Sequence, residues 1–253
     1  MKLGARDGAS AGNRIDPRPV LIVTGLVQEA RIAAGPGMTV ICSSSDPQQL
    51  RALLTVFDPA TIRGVISFGV AGGLDPSLKS GDVVVATEVL AGDTRWLAGL
   101  ALNEEMIASV ALGSRRVVRG SLAGAEQVVA ARHIKAALHL ETGAAAVDME
   151  SHIAAAYAAE AGLPFAALRV IADPASRALP ALAVSALKPN GDVDLGKLLR
   201  GVARNPTTLR ALVSTGIDFN RALRSLRGCR SFLLGGEEGM LLGGEEGLVA
   251  ADI

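Results

Sequence analysis

"GVISFGVAGGLDP", residues 64–76, opens as a strand and closes in a cluster of glycines. The run Val65-Ile66-Ser67-Phe68 is short and apolar, the mark of a strand buried on both faces. Gly69, Gly72 and Gly73 come next, which predicts a glycine-rich turn at the strand's carboxyl end. Three readings of such a turn stand side by side: a phosphate cradle, the wall of a ligand pocket, or a tight turn. The spacing is G-x-x-G-G, so it matches neither a dinucleotide fingerprint nor a phosphate loop ending in Gly-Lys-Ser/Thr. The missing side chains at Gly69 and Gly72 do permit close approach to the backbone.

Working outward, the chain alternates strand and helix. Residues 20–26, "VLIVTGL", and 38–43, "MTVICS", read as strands on either side of the short helical passage "QEARIA". In "DPQQLRALLTVF", Asp46 caps a helix and Pro47 sits at its first position. Strand, helix and strand of these lengths imply a right-handed parallel crossover. Beyond the glycines, "SGDVVVATEVL" and "RRVVRGSL" read as strands, with a loop-rich region around Trp96 between them. Residues 126–140 look helical. "AAAVDM" is a short strand entering the Ala-rich helix "ESHIAAAYAAEAG", which Gly162 ends before the strand "FAALRVIAD". The alternation predicts an α/β fold of three layers, with a central mixed, mostly parallel sheet flanked by helices.

The chain has 253 residues, 49% hydrophobic and only 3% aromatic, so Ala, Val, Leu and Ile must build the core. We expect a polar arm over 1–19, the α/β core over 20–180, a basic helical region over 181–232 and a Gly/Glu-rich tail over 233–253. The tail repeats "LLGGEEG". The formal net charge is +0, which gives no electrostatic case for nucleic acid. No apolar leader or 18-residue apolar stretch appears, and Cys42 and Cys229 lack metal-type spacing. These features imply a reduced cytoplasmic setting, with no metal or cofactor. His133, His139 and His152 read as structural. The basic region, with Arg200, Arg204, Arg210, Arg221, Arg224, Arg227 and Arg230, admits two readings. It packs on the domain with a solvated basic face, or it docks on an anionic membrane surface.

Three carboxylates fall at strand ends, where ligands of parallel sheets collect. Glu29 comes after the first strand, Glu150 comes after "AVDM", and Asp173 ends "LRVIAD". Each has a plain alternative as a surface acid, a helix-terminus charge or a turn residue. Taken as a set, they are expected to converge on one crevice.

These segments also carry a resemblance. "GVAGGLDPSLKSGDVVVATEV", "AAVDMESHIAAAYAAEAGLPFAALRVIADPA" and "VTGLVQEARIA" are similar to signatures of the purine nucleoside phosphorylase/uridine phosphorylase superfamily. The methylthioadenosine/S-adenosylhomocysteine nucleosidase branch is the nearest in pattern. The whole chain most resembles the hopanoid-associated phosphorylases, which are linked to removing adenine from adenosylhopane. The resemblance implies roles. Glu150 would hold the ribose hydroxyls and Met149 would pack on the sugar. Asp173 would protonate N7 of the leaving base, and Glu29 would activate water. Gly69, Val70, Ala71 and Gly72 would line the sugar side. Gln127 and Val128 would lie at the base, where the nucleosidases carry a stacking aromatic. Val70 replaces the hydroxyl that phosphorylases carry after the first glycine, which favours hydrolysis. Arg31 would supply charge to phosphate in the phosphorolytic alternative. A non-catalytic nucleoside-binding protein is a further alternative. The implied partners are a small-molecule nucleoside, a second copy in a homodimer and, through the basic helices, the membrane surface.

Overall fold

Eight strands form one mixed sheet in the computed structural model, which describes residues 16–99, 116–186 and 194–233. They are β1 (Val20–Thr24), β2 (Met38–Cys42), β3 (Gly64–Gly73), β4 (Val83–Ala91), β5 (Thr94–Leu97), β6 (Val117–Gly124), β7 (Ala146–Asp148) and β8 (Phe165–Asp173). β1 lies between β2 and β3, parallel to both. β3 runs parallel to β8 over nearly its whole length. The sheet then closes on itself: β8 pairs β4, β4 pairs β6, β6 pairs β7, and β7 returns antiparallel to the end of β3 at Gly72 and Gly73. The expected α/β architecture is present, and the closure brings the ends of β3, β7 and β8 together.

The glycine stretch is the end of a strand and not a turn. β3 continues through Gly73, and none of Gly69, Gly72 or Gly73 has a positive φ. The reason lies in its partners: β8 and β7 hydrogen-bond this segment, and the register slips once, between Ala71 and Gly72. A strand-end bulge of this kind re-aims side chains near sites.

Helices cover the sheet. α1 (Val27–Ala33) comes after β1, and α2 (Pro47–Val56) is capped by Asp46, whose carboxylate accepts from Gln48 N and Gln49 N. α3 spans Arg132–Thr142 and ends on Gly143 at φ 68. The helix expected over 126–140 therefore starts six residues late, and residues 126–129 stay non-helical. The Trp96 region, expected as loop, forms β5 antiparallel to β4. α4 (Ser151–Glu160) buries Ile153, Ala154, Ala155 and Ala158; the three buried alanines let it lie close to the sheet.

The C-terminal region forms α5 (Ala181–Ser185), α6 (Leu195–Arg204), α7 (Thr208–Gly228) and α8 (Arg230–Leu233). The boundary expected at residue 180 does not separate the core from these helices. α7 buries Ala222, Leu223 and Leu226 in the same cluster as Ile22, Phe68, Leu168 and Val170. Buried Asp218 pairs with Arg177 and with Arg221 at 3.2 Å, and its carbonyl accepts from Ser80 Oγ at 2.7 Å. The packed reading of the basic region thus holds for one face of α7. Most of the expected arm and the repeated tail lie outside the described residues. Among the described residues no helix is long and apolar enough to cross a membrane.

If α7 is part of the core, Leu226→Ala should lower unfolding free energy by about 2–5 kcal/mol in urea titrations. Leu140→Ala, at a position 86% exposed, should stay within about 0.5 kcal/mol of the wild type.

Candidate active site

Arg169 is the centre of the charged cluster. It sits on β8 with no exposure, in a strand otherwise apolar up to its final aspartate. Its Nε lies 3.1 Å from Asp148 Oδ2, and its Nη2 lies 3.5 Å from Glu150 Oε2. Nη2 also donates to Ser67 Oγ at 2.6 Å, and Nε donates to Ser151 Oγ at 3.2 Å. Nη1 has no hydrogen-bond partner among the described residues. Asp148 also holds the backbone: its Oδ1 accepts from Glu150 N and Ser151 N at the start of α4, where the helix dipole also favours a carboxylate.

Glu29 is almost fully buried on α1. Its Oε2 accepts from Gly25 N at 2.8 Å and Leu26 N at 2.9 Å, and its Oε1 accepts from Val70 N at 2.7 Å. Burial pushes its carboxyl above the usual range, against the pull of Arg169 and these three amides. Glu150 is also buried, and Gly25 touches both: its amide donates to Glu29, and a Cβ on it would lie 2.5 Å from Glu150 Oε1. Burial raises Glu150 to about 7, opposed by Arg169 and reinforced by Asp148 and Glu29.

Asp173 closes β8 beside Gly72. Burial raises it to about 6, although the Lys135 ammonium lies 2.5 Å from Oδ2 and pulls the other way. At pH 7 such a group is protonated about a tenth of the time, against about one part in a thousand for an ordinary aspartate.

The glycines of β3 serve these side chains. A Cβ at Gly69 would lie 2.6 Å from Arg169 Nη1 and 2.7 Å from Glu29 Cδ. A Cβ at Gly72 would lie 3.3 Å from Asp173 Oδ2. The close approach expected of a ligand is made by the protein's own charged groups.

A cavity of about 910 Å³ opens over this cluster. Glu29, Val70, Ala71, Gly72, Gln127, Val128, Met149, Glu150 and Asp173 all line it. Two of the candidate residues do not. Gly69 lies behind the wall, against Arg169 and Glu29. Arg31 is exposed in the last turn of α1, away from the cavity. Sequence reading missed Arg169, Asp148, Lys135 and Gly25. A lone arginine inside "FAALRVIAD" was a legible signal, because a strand buried on both faces admits a charge only with partners. Nothing in the helical pattern around Lys135 marks it.

Arg169→Met leaves buried carboxylates without their counter-ion and should cost about 3–5 kcal/mol near neutral pH. Glu150 already binds its proton more tightly folded than unfolded, since its value rises from 4.5 to about 7. Its contribution to stability is therefore present below about 4.5 and is lost as pH rises toward 7. Removing Arg169 widens that window upward. Denaturant titrations should find the deficit large at about pH 8 and much smaller at about pH 5; a deficit independent of pH would contradict this electrostatic account.

Comparison with known proteins places this fold. No curated relative matches the sequence significantly. Among solved structures, the fold is similar to 5′-methylthioadenosine/S-adenosylhomocysteine nucleosidase from Neisseria meningitidis in complex with methylthio-immucillin-A. That match has a TM-score of 0.64 and 16% identity, covering 86% of this chain and 98% of that one. Two Helicobacter pylori structures, a nucleosidase of the same kind and a futalosine hydrolase, each match with a TM-score of 0.61 and 18% identity, over 86% of this chain and 96% of theirs. The model of the phosphorylase superfamily matches residues 16–192, a span that holds β1 to β8 and every carboxylate of the charged cluster. The chain therefore belongs to the phosphorylase superfamily.

Proposed function

We propose that this protein hydrolyses the N-glycosidic bond of an adenosine-type nucleoside and releases adenine. The observation that carries hydrolysis is the make-up of the cavity wall. Glu29, Asp46, Glu126, Asp148, Glu150 and Asp173 line it, and among the described residues no lysine or arginine does; Arg51 and Lys135 pair with Glu126 and Asp173 from outside the lining. Arg169 stands behind the wall, already shared by Asp148 and Glu150. The backbone amide of Val70, which a phosphate cradle would offer to an anion, donates to Glu29. Among the described residues no side-chain cation faces the cavity to receive a phosphate dianion, whereas water and a cationic sugar need none. The same wall suits an oxocarbenium-like transition state, whose positive charge it stabilises.

The roles rest on position. Asp173 gives its proton to N7 as the C–N bond breaks and the electron pair leaves with the base. Glu29, held by three amides, accepts a proton from the attacking water. Glu150 accepts from the ribose 2′- and 3′-hydroxyls, and Met149 packs on the sugar. Gln127 and Val128 border the base. The raised pKa of Asp173 argues against a purely binding role, since it favours proton donation near neutrality.

The substrate proposal is adenosylhopane. Leu179, Ala183, Val184, Leu212 and Phe219 also line the cavity, apolar surface suited to an apolar 5′ substituent. Along α7, Leu209, Val213 and Ile217 recur four apart and are half-exposed. Arg210 and Arg224 are exposed on the same helix. This combination supports contact with an anionic lipid surface, from which a lipid-tailed nucleoside would enter. The resemblance alone supports a cytoplasmic homodimer. Membership of the superfamily, with a fold similar to nucleosidases, supports the reaction class.

Adenine release from a 5′-alkyl adenosine should proceed in phosphate-free buffer, and a 5′-carboxyalkyl analogue should react more slowly. Strict phosphate dependence would instead establish phosphorolysis. Asp173→Asn and Glu29→Gln should each lower kcat by roughly 10²–10⁴. In wild type, kcat/KM should fall as pH rises above about 6, because the acid loses its proton there. The double change Leu209→Glu with Val213→Glu should weaken sedimentation with anionic vesicles and leave turnover of a water-soluble substrate unchanged.

A further inference from the structure

α3 buries one residue, and that residue is a lysine. Helices dock on a domain through an apolar stripe. On α3, Leu138 packs against the core, partly buried, but Ile134 and Leu140 are exposed, at 47% and 86%, while Lys135 has no exposure. Its ammonium donates to Asp173 Oδ2 at 2.5 Å, to Asp173 O at 3.1 Å, to Arg177 O at 3.3 Å and to Pro174 O at 3.4 Å. A buried ammonium is costly unless it is paired and hydrogen-bonded. Here its bonds go to one carboxylate and to the backbone of the turn after it.

We propose that Lys135 is a positioning residue for the acid. Its ammonium fixes Asp173 through Oδ2, turns Oδ1 toward the leaving base, and neutralises the carboxylate that forms when Asp173 gives up its proton. This rests on the reading of Asp173 as the general acid. In the step, the proton passes from Asp173 to N7 while the C–N electron pair moves to the base. Asp173 is left anionic against Lys135 and recovers a proton from solvent.

The charged groups around Asp173 permit this. Lys135 reaches it from α3. Asp218, from α7, opposes ionisation of Asp173. Arg177, in the turn after β8, is occupied with Asp218 and presents its carbonyl to Lys135. Arg132, from α3, reaches Ser176 O at 3.5 Å. Lys135 is the cation among them in an ion pair with Asp173. The opposed pulls of burial and Lys135 set the pH range in which the acid works.

The test compares Lys135→Met with wild type in pH profiles of adenine release. Losing the cation should move the alkaline limb of kcat/KM up by about 1–3 pH units. It should also lower the plateau of kcat by roughly 10–100-fold, as a misaligned and weaker acid requires. In an Asp173→Asn background, Lys135→Met should add less than about threefold, because both changes act through one group. A second measurement uses the unaltered protein: the Nζ resonance of Lys135 under 15N-lysine labelling should shift as Asp173 titrates, without substrate. A Lys135→Met profile unmoved in pH, or an Nζ signal blind to that titration, would overturn the proposal. Full activity in Asp173→Asn alone would instead overturn the acid assignment. If Lys135→Met does not fold, the Nζ titration decides the question.

Discussion

A guanidinium with no exposure must be surrounded by acceptors, and Arg169 dictates much of what surrounds it. Asp148 and Glu150 lie within ion-pair distance, Glu29 acts on it from α1, and Ser67 and Ser151 accept further hydrogen bonds. Burial alone would make the arginine more acidic. The three carboxylates outweigh it, so the arginine holds its charge more firmly than usual. In return the cation limits how far burial drives Glu29 and Glu150 toward neutrality. Elements distant in sequence are therefore tied at one point: α1, β3, β7, the start of α4 and β8. Breaking such a cluster strands charge in a low-dielectric interior, which costs more than the intact cluster contributes.

Backbone geometry obeys the same constraint. Gly69 leaves room for Arg169 and Glu29, Gly25 for Glu150, and Gly72 for Asp173. Gly69 and Gly72 are needed because charged side chains lie against the sheet, and a methyl group would crowd them. The resulting cavity wall presents carboxylates and, among the described residues, no lysine or arginine; Arg169, Lys135 and Arg51 pair with them from outside the lining. Such a wall disfavours an anionic co-substrate and favours a sugar that becomes positive as its bond breaks. The proposal of hydrolysis and the make-up of this wall are in this sense one argument.

Much of this was legible in the sequence, and the remainder has physical causes. The strands were readable from continuous apolar runs, and the Asp46-Pro47 cap from its own chemistry. Glu29, Glu150 and Asp173 were readable as polar groups at strand ends, and they do share a cavity. The glycine stretch was misread as a turn because glycine marks turns locally, whereas strand pairing with β7 and β8 is decided at long range. The late start of α3 has a similar cause: periodicity extends through Val128 and Val129, but the segment lines the cavity. Lys135 gave no signal, since a buried lysine looks like a surface lysine until its partner is known. Arg31 looked available for an anion only because α1's exposed face was not visible in the sequence. For α7 the sequence left two readings open, and the core contacts of Ala222, Leu223 and Leu226 select the packed one for one face of the helix.

The central claim is that a wall presenting no lysine or arginine among the described residues directs water, and not phosphate, to the sugar. The most direct measurement runs the reaction in 18O-labelled water with phosphate present and determines the mass of the sugar product. The account requires free sugar carrying one 18O at its anomeric carbon, in amounts equal to the adenine released. A sugar 1-phosphate without the label would contradict it.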